Sequence, residues 1–528
     1  MTVELPTEIW WKILEYLPLA NIVRLGPVNR AFLEHARQKQ YRSLKFTTYD
    51  REIELRLEKI RSLSLGHHVR AVNIHPSTIS HGPAKMLESS ADFVRTAFDS
   101  DHHKQNLTRE KIQKEQIQLV IETLKTLEHV QQFCLVAPQF PRCNSRVWPG
   151  NTEVTIIFLS LLATPSFSRN ITGLELTIPA HTLDCLASAK MPSLEYLNVF
   201  LVKRPPGSDE YIERLAMFIS GASRTLQILS IECSDRSLTL DQTFSRLFGI
   251  LCEADFPQLD VFHFHILSQR LQNIAVNLNK FVLKISSRLH ELKLCHVSYI
   301  SCLQEPPQPN DQSWISDIFS AQGPASEFSS LTLLNLNSGS VHVNLAVLSP
   351  VLSSVAPHLK SFSLDDQLLT TDELQIVVQA LSCSPSPLCH LRIELKDLSL
   401  STFDLLASQF PQLQSLKLVA ETFSSSVTLQ APMTEEDLRL KFPRITLDLA
   451  LFSYGLTLRR QAGDYQKWKL SSLELYMVLQ TSNDYFNIYE ETFKACLPLL
   501  VDYHFRIITR GWSQGERQEL YYAYRAPA

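Results

Sequence analysis

The sequence predicts an α/β chain. A three-helix unit leads into a right-handed α/β solenoid with a parallel inner sheet. Three observations predict it. The pattern apolar-x-x-apolar-x-apolar recurs ten times, at Ile171, Leu194, Leu226, Leu259, Leu289, Leu331, Leu359, Leu388, Leu413 and Leu470, and the spacings from Ile171 to Leu413 are 23, 32, 33, 30, 42, 28, 29 and 25 residues. Periods of this length mark stacked structural units. The lead-in also repeats: Phe256-Pro257-Gln258-Leu259 matches Phe410-Pro411-Gln412-Leu413 residue for residue. Helical patterns fill the gaps between these segments. One strand and one helix per unit gives a right-handed parallel array, whereas a propeller needs four strands per blade.

The first 46 residues read as three short helices. Ile9, Ile13 and Leu17 recur at helical spacing, joined by Trp10 and Leu14, and form a wide apolar face. Pro6 suits the entry, Thr7 is placed to cap the first turn and Pro18 ends the helix. A second helix holds Ile22, Val23 and Leu25 and stops at Gly26-Pro27. The third runs from Val28 to about Tyr41, with Phe32 and Leu33 predicted inward. Three such helices bury little surface alone, so the unit either caps a larger body or docks on a partner.

Leu5-Pro6-x-Glu8-Ile9, Ile13-Leu14, Leu17, Ile22, Leu25 and Val28-Asn29-Arg30-x-Phe32 together resemble an F-box. Asn21 and Asn29 depart from the family pattern, where an acid and a Cys or Ser are common. The resemblance implies docking to the Skp adaptor of SCF-type ubiquitin ligases, and through it to cullin and RING subunits. It implies adaptor contacts from Leu5, Pro6, Ile9, Ile13, Leu14, Leu17, Ile22, Leu25 and Val28.

The rest of the chain, residues 47–510, is read as the solenoid, with 511–528 as a tail. Weaker copies of the repeat lie at Tyr41–Phe46, Val69–Ile74, Val130–Leu135 and Phe442–Leu447. Between strands, Thr370 and Glu373 stand at capping-box spacing before Leu374, Val377, Val378 and Leu381. A helix is predicted over about 107–127. Polar inserts interrupt the period near 76–107, 301–328 and 420–440. This part resembles the irregular leucine-rich repeats found in F-box proteins, although the Asn or Cys that often follows the repeat core is replaced, for instance by Gln367 and Glu421.

Alternation along each strand sends the repeat leucines inward and their neighbours to the open wall. The candidate target-binding residues there are Tyr196, Asn198, Phe200, His263, His265, Lys293, Asn335, Arg392 and Lys417; Glu291, Asp365, Glu474 and Tyr476 fall on the same wall. Aromatics and both charge signs on a parallel wall suit protein binding.

Composition excludes several other classes. The net charge is −4, which gives no global footprint for nucleic acid or anionic lipid. Only 14 residues are Gly, which disfavours glycine-rich phosphate loops. The ten Cys form no CxxC pair and read as reduced thiols. The N-terminus lacks the basic region of a signal peptide, and the longest apolar run, near 154–163, is too short for a membrane span. The chain is therefore expected to be cytoplasmic or nuclear, without a membrane or nucleic-acid partner. No phosphate-loop, nucleophile-elbow or HExxH motif occurs, so neither catalysis nor a cofactor is expected. His67-His68, His102-His103 and His263-x-His265 are paired, and the last pair shares one face of a strand at a spacing metals use, but no third ligand stands near it in sequence. The reading is a non-catalytic, target-recruiting subunit of an SCF ubiquitin ligase acting in ubiquitin-dependent degradation; the alternative is a scaffold that binds the adaptor without promoting ubiquitination.

Overall fold

The computed structural model describes residues 6–25, 30–46, 49–75, 100–136, 152–202, 209–233, 240–266, 274–296, 328–337, 343–382, 387–424, 434, 436–437, 447–463, 465–479 and 500–509. The chain forms two compact units, Met1–Ser237 with Arg246–Leu259, and Leu238–Ser245 with Asp260–Ala528. The three N-terminal helices belong to the first unit, and the repeat run is divided between the two.

The first unit opens with α1 (Thr7–Glu15), α2 (Leu19–Leu25) and α3 (Arg30–Tyr41). Its strands are β1 (Ser43–Phe46), β2 (Ala71–Ile74), β3 (Gln132–Leu135), β4 (Gly173–Pro179), β5 (Tyr196–Val202) and β6 (Ile228–Cys233). Each pairs in parallel with the next in chain order. The three weak repeats before Ile171 thus become β1, β2 and β3. The crossovers carry α4 (Arg51–Ser62), α5 (Ser100–Lys125), α6 (Thr152–Leu161), α7 (Pro165–Ser168) and α8 (Asp209–Gly221), with 3₁₀ segments at Leu65–His68 and Ala180–Leu186. The division between units runs through α9 (Leu240–Leu251).

The second unit contains β7 (Val261–Ile266), β8 (Glu291–His296), β9 (Leu333–Asn337), β10 (Ser361–Leu369), β11 (His390–Leu398), β12 (Ser415–Phe423), β13 (Ser472–Leu479) and β14 (Asp502–Thr509). These also pair in parallel, in chain order. Its remaining helices are α10 (Ile274–Ile285), α11 (Leu345–Val355), α12 (Thr371–Leu381), α13 (Leu400–Gln409) and α14 (Leu447–Ala462). Strand β14 carries no repeat motif and was not legible in advance. The weak copy at Phe442–Leu447 is not a strand where it can be seen: Leu447 starts α14, and 442–446 lie outside the described residues.

A single backbone device repeats at strand entries. Two consecutive N–H groups donate to one carbonyl of the preceding coil: Gln131 and Gln132 to Arg70, Glu195 and Tyr196 to Thr172, His290 and Glu291 to Asp260, Cys389 and His390 to Lys360. This satisfies donors that the ladder has not yet reached and sets the register at these strand entries. Below the strands the repeat leucines and phenylalanines are buried, and rings from helix and strand meet edge to face, as Phe262 and Phe281 do with centroids 5.2 Å apart. Burying each such side chain contributes about 1.5–3 kcal/mol. The capping box is present: Thr370 N donates to Glu373 Oε2 at 2.8 Å, and Glu373 N donates to Thr370 Oγ1 at 3.3 Å. Gln367, buried on β10, uses its amide as a strand would: it accepts from Val343 N at 2.9 Å and donates to Val343 O at 3.3 Å.

Three helix-level expectations are corrected. Thr7 does not cap α1; Pro6 occupies that position with no side-chain bond. Leu33 is exposed rather than inward, because the core side of α3 is taken by Phe32 and Ala36. Helix α5 starts earlier than predicted, at Ser100. Among the described residues, no helix is long and apolar enough to cross a membrane.

Candidate functional site

Two surfaces carry the residues that the sequence singles out. The first is the three-helix unit. Leu14 and Ile22 are fully buried with Phe32 and Ala36, and Trp10, Leu17 and Leu25 pack against them. Leu14 and Ile22 are therefore not contact residues: three helices of this size need an apolar centre, and the inner face of α1 supplies it. Leu5 and Val28 lie outside the described residues, and Pro6 is exposed. Ile9 and Ile13 are 43% and 40% exposed, and Tyr16 is 86% exposed. These three stand at i, i+4 and i+7, so they form one stripe beside the buried face. Trp11 on the far edge of α1 and Val23 on α2 are exposed as well. Tyr16, Trp11 and Val23 were missed because periodicity finds the core stripe and says little about its margins.

The second surface is the open face of the strands in each unit. In the first unit the register aligns Lys45, Asn73, Cys134, Glu175, Asn198 and Ser230. Tyr196, Asn198 and Phe200 alternate with the buried Leu197, Val199 and Leu201 and are part-exposed, as expected. Cys134 Sγ donates to Glu175 Oε2 at 3.3 Å, and burial with this carboxylate pushes the thiol far up from its ordinary value. Burial and the Glu175 charge also raise Tyr196.

In the second unit the register aligns His263, Lys293, Asn335, Ser363, Arg392, Lys417 and Glu474. Charges on this row and the adjoining one are matched. Glu291 accepts from His263 Nε2 at 2.8 Å and is ion-paired with Lys293. Burial pushes Glu291 up, but these two partners outweigh it and hold the carboxyl at about 2. Arg392 Nε lies 2.5 Å from Asp365 Oδ1, close in distance though not aligned as a hydrogen bond. Asp365 is 2% exposed. Lys417 Nζ lies 3.0 Å from Glu474 and 4.8 Å above the Tyr476 ring, whose hydroxyl donates to Glu474 at 3.1 Å. Burial and the neighbouring Arg392 lower Lys417 despite Glu474.

Tyr196, Asn198 and Phe200 thus share the first unit's face and His263, Lys293, Asn335, Arg392 and Lys417 the second's, while His265 and Tyr476 are buried. His265 is buried, because Phe264, His265 and Ile266 are all covered and the alternation fails at the end of β7. Lys293, Arg392 and Lys417 are on the open face as expected, but each already faces a carboxylate. Strand alternation placed Glu291, Asp365 and Glu474 there without showing who pairs with whom.

No protein-family model matches the chain, and no curated protein matches it.

Proposed function

We propose that the chain is a target-recruiting subunit of an SCF-type ubiquitin ligase, a non-catalytic F-box protein with irregular leucine-rich repeats. The observation that carries this reading is the exposed stripe Ile9, Ile13 and Tyr16 on a helical unit whose own core is already closed. Exposed apolar side chains in line on one helix suit docking against a partner's helices. The partner is a Skp-type adaptor, with cullin and RING subunits beyond it, and the open sheet faces hold the protein target. Proximity does the rest, since tethering target and conjugating enzyme together raises their effective concentration.

The test is calorimetry of the full chain with a purified Skp-type adaptor. The double variant Ile9→Ala, Ile13→Ala removes on the order of 100 Å² of apolar contact, about 2–3 kcal/mol, so affinity falls roughly thirty- to hundredfold. The fold is expected to survive, because both residues are exposed. Absence of wild-type binding at tens of micromolar (an affinity near −6 to −7 kcal/mol, on the order of the weakest specific pairs) defeats the reading. Adding cullin and the ubiquitin machinery then separates a ligase subunit from a silent scaffold.

A further inference from the structure

We propose that Glu34, His67 and His68 form a binding site for a zinc-class divalent cation. Glu34 lies on α3, and the two histidines end the 3₁₀ segment Leu65–His68. Each offers one ligand atom, and the three atoms lie within 4.8 Å of one another. Glu34 Oε1 is 3.5 Å from His68 Nε2 and 3.8 Å from His67 Nε2. Two ligands about 2.0–2.1 Å from a tetrahedral zinc stand roughly 3.3–3.5 Å apart, so both Glu34–histidine distances are already near that spacing.

Three further features point to a ligand. His68 is 6% exposed, and its Nε2 is buried without a hydrogen-bond partner. A buried imidazole nitrogen left unsatisfied is costly, and a metal would satisfy it. His67 Nδ1 donates to Ser64 O at 2.9 Å, which leaves the Nε2 lone pair free toward Glu34, as a carbonyl does behind a metal-bound histidine. The backbone is also committed to this arrangement. Ser64 adopts a left-handed conformation with φ 50°, and Gly66 is so close to Thr126 O and Leu127 that a Cβ there would stand 3.1 Å from each.

Two imidazoles and one carboxylate favour zinc and its transition-metal neighbours over calcium or magnesium, which prefer oxygen ligands. His67 and Glu34 are half exposed, so a cation can enter from solvent and keep a water as fourth ligand. Arg37 and Arg70 act electrostatically on His68 and oppose a cation. Arg70 donates to the backbone carbonyl of His67 at 2.8 Å, and the Glu34 carboxylate supplies the compensating charge. The metal would tie α3 to the segment that leads into β2.

The probe is zinc chloride titrated into the metal-stripped full chain, with cobalt substituted as a spectroscopic reporter. Wild type is expected to take up one tight equivalent, to show the intense visible bands of four-coordinate cobalt and to melt later with zinc. Glu34→Gln and His67→Asn change half-exposed side chains, so both are expected to fold. Each should weaken zinc binding by about a hundredfold or more and abolish the shift in melting. If wild type takes up no zinc at about 10 μM free metal, where a site of micromolar affinity would be mostly filled, the site does not exist. If either variant keeps the wild-type affinity and cobalt spectrum, the metal sits elsewhere and the assignment falls.

Discussion

The open strand faces of the two units are built on the same parallel, in-order pairing but solve different problems. In the first unit this face carries a thiol bonded to a carboxylate, amides and, on the adjoining rows, the part-exposed aromatics Tyr196 and Phe200. In the second it carries the charge groups Glu291 with His263 and Lys293, Asp365 with Arg392, and Glu474 with Lys417. Both faces are polar by alternation. The difference lies in commitment. Aromatics flanked by amides keep contact area available for a partner, whereas matched charges are already satisfied and mainly hold adjacent strands in register. The target recruitment proposed above is therefore to be tested first on β5 and its neighbours, and rigidity on the rows of β8 through β13.

This contrast is broken most severely at Asp365. Its carboxylate is almost fully buried, so Arg392→Ala leaves a charge in a poorly solvated site. The expected loss is about 3 kcal/mol, toward the low end for a broken buried pair because Arg392 itself is 28% exposed. In the first unit, Glu175→Gln is expected to cost under about 1 kcal/mol, since it breaks a single weak thiol bond. Chemical denaturation of the full chain reads both. Adding Asp365→Asn to Arg392→Ala should recover part of the loss, because the buried charge that lost its guanidinium is then neutral. Equal losses from Arg392→Ala and Glu175→Gln would erase the distinction between the faces.

A second, smaller effect is expected with acid. Glu291 titrates at about 2 in the folded chain instead of the ordinary 4.5. Between those values the unfolded chain binds the extra proton, so stability falls as pH drops. The contribution is fully present above about pH 4.5 and is lost on approaching pH 2. The shift corresponds to about 2 kcal/mol after allowance for the quarter of the side chain that is exposed. Glu291→Gln cannot titrate, so the slope of stability against pH in that window should flatten relative to wild type. An unchanged slope would mean that His263 and Lys293 do not hold the carboxylate.

Much of this architecture was legible because the repeat leucines do the same thing at every turn. LxxLxL at Leu359 and Leu413 gave strands β10 and β12, and even the weak copy at Val130 gave β3. Thr370 and Glu373 stood at the correct spacing for a cap that depends only on local backbone. What escaped depends on contacts between distant residues. Leu14 reads the same whether it faces a partner or Phe32, and only the packing of α3 decides. His265 obeys alternation on paper, yet the end of β7 is covered. The grouping of Glu34 with His67 and His68 escaped because Glu34 stands more than thirty residues upstream on another element. The division of the repeat run into two units leaves no mark in a period that runs through it.

The mildest test probes chemistry on the first unit's face. Cys134 is half-buried, and its proton is shared toward Glu175 Oε2. Burial and the carboxylate charge both disfavour the thiolate, which is the form that reacts. Native chain treated with iodoacetamide at mildly alkaline pH should therefore label Cys134 slowly, while unfolding releases it to the rate of an ordinary thiol. Cys389, half-buried in the second unit, serves as the internal reference when labelling is followed peptide by peptide by mass spectrometry. Glu175→Gln removes the charge and leaves the packing nearly unchanged, so Cys134 should react a few-fold faster, up to about tenfold for one unit of pKa. The reference rate should not move. If Cys134 labels at the same rate with and without the Glu175 charge, burial alone governs it, and the thiol–carboxylate pair does not distinguish this face from the charge-matched one.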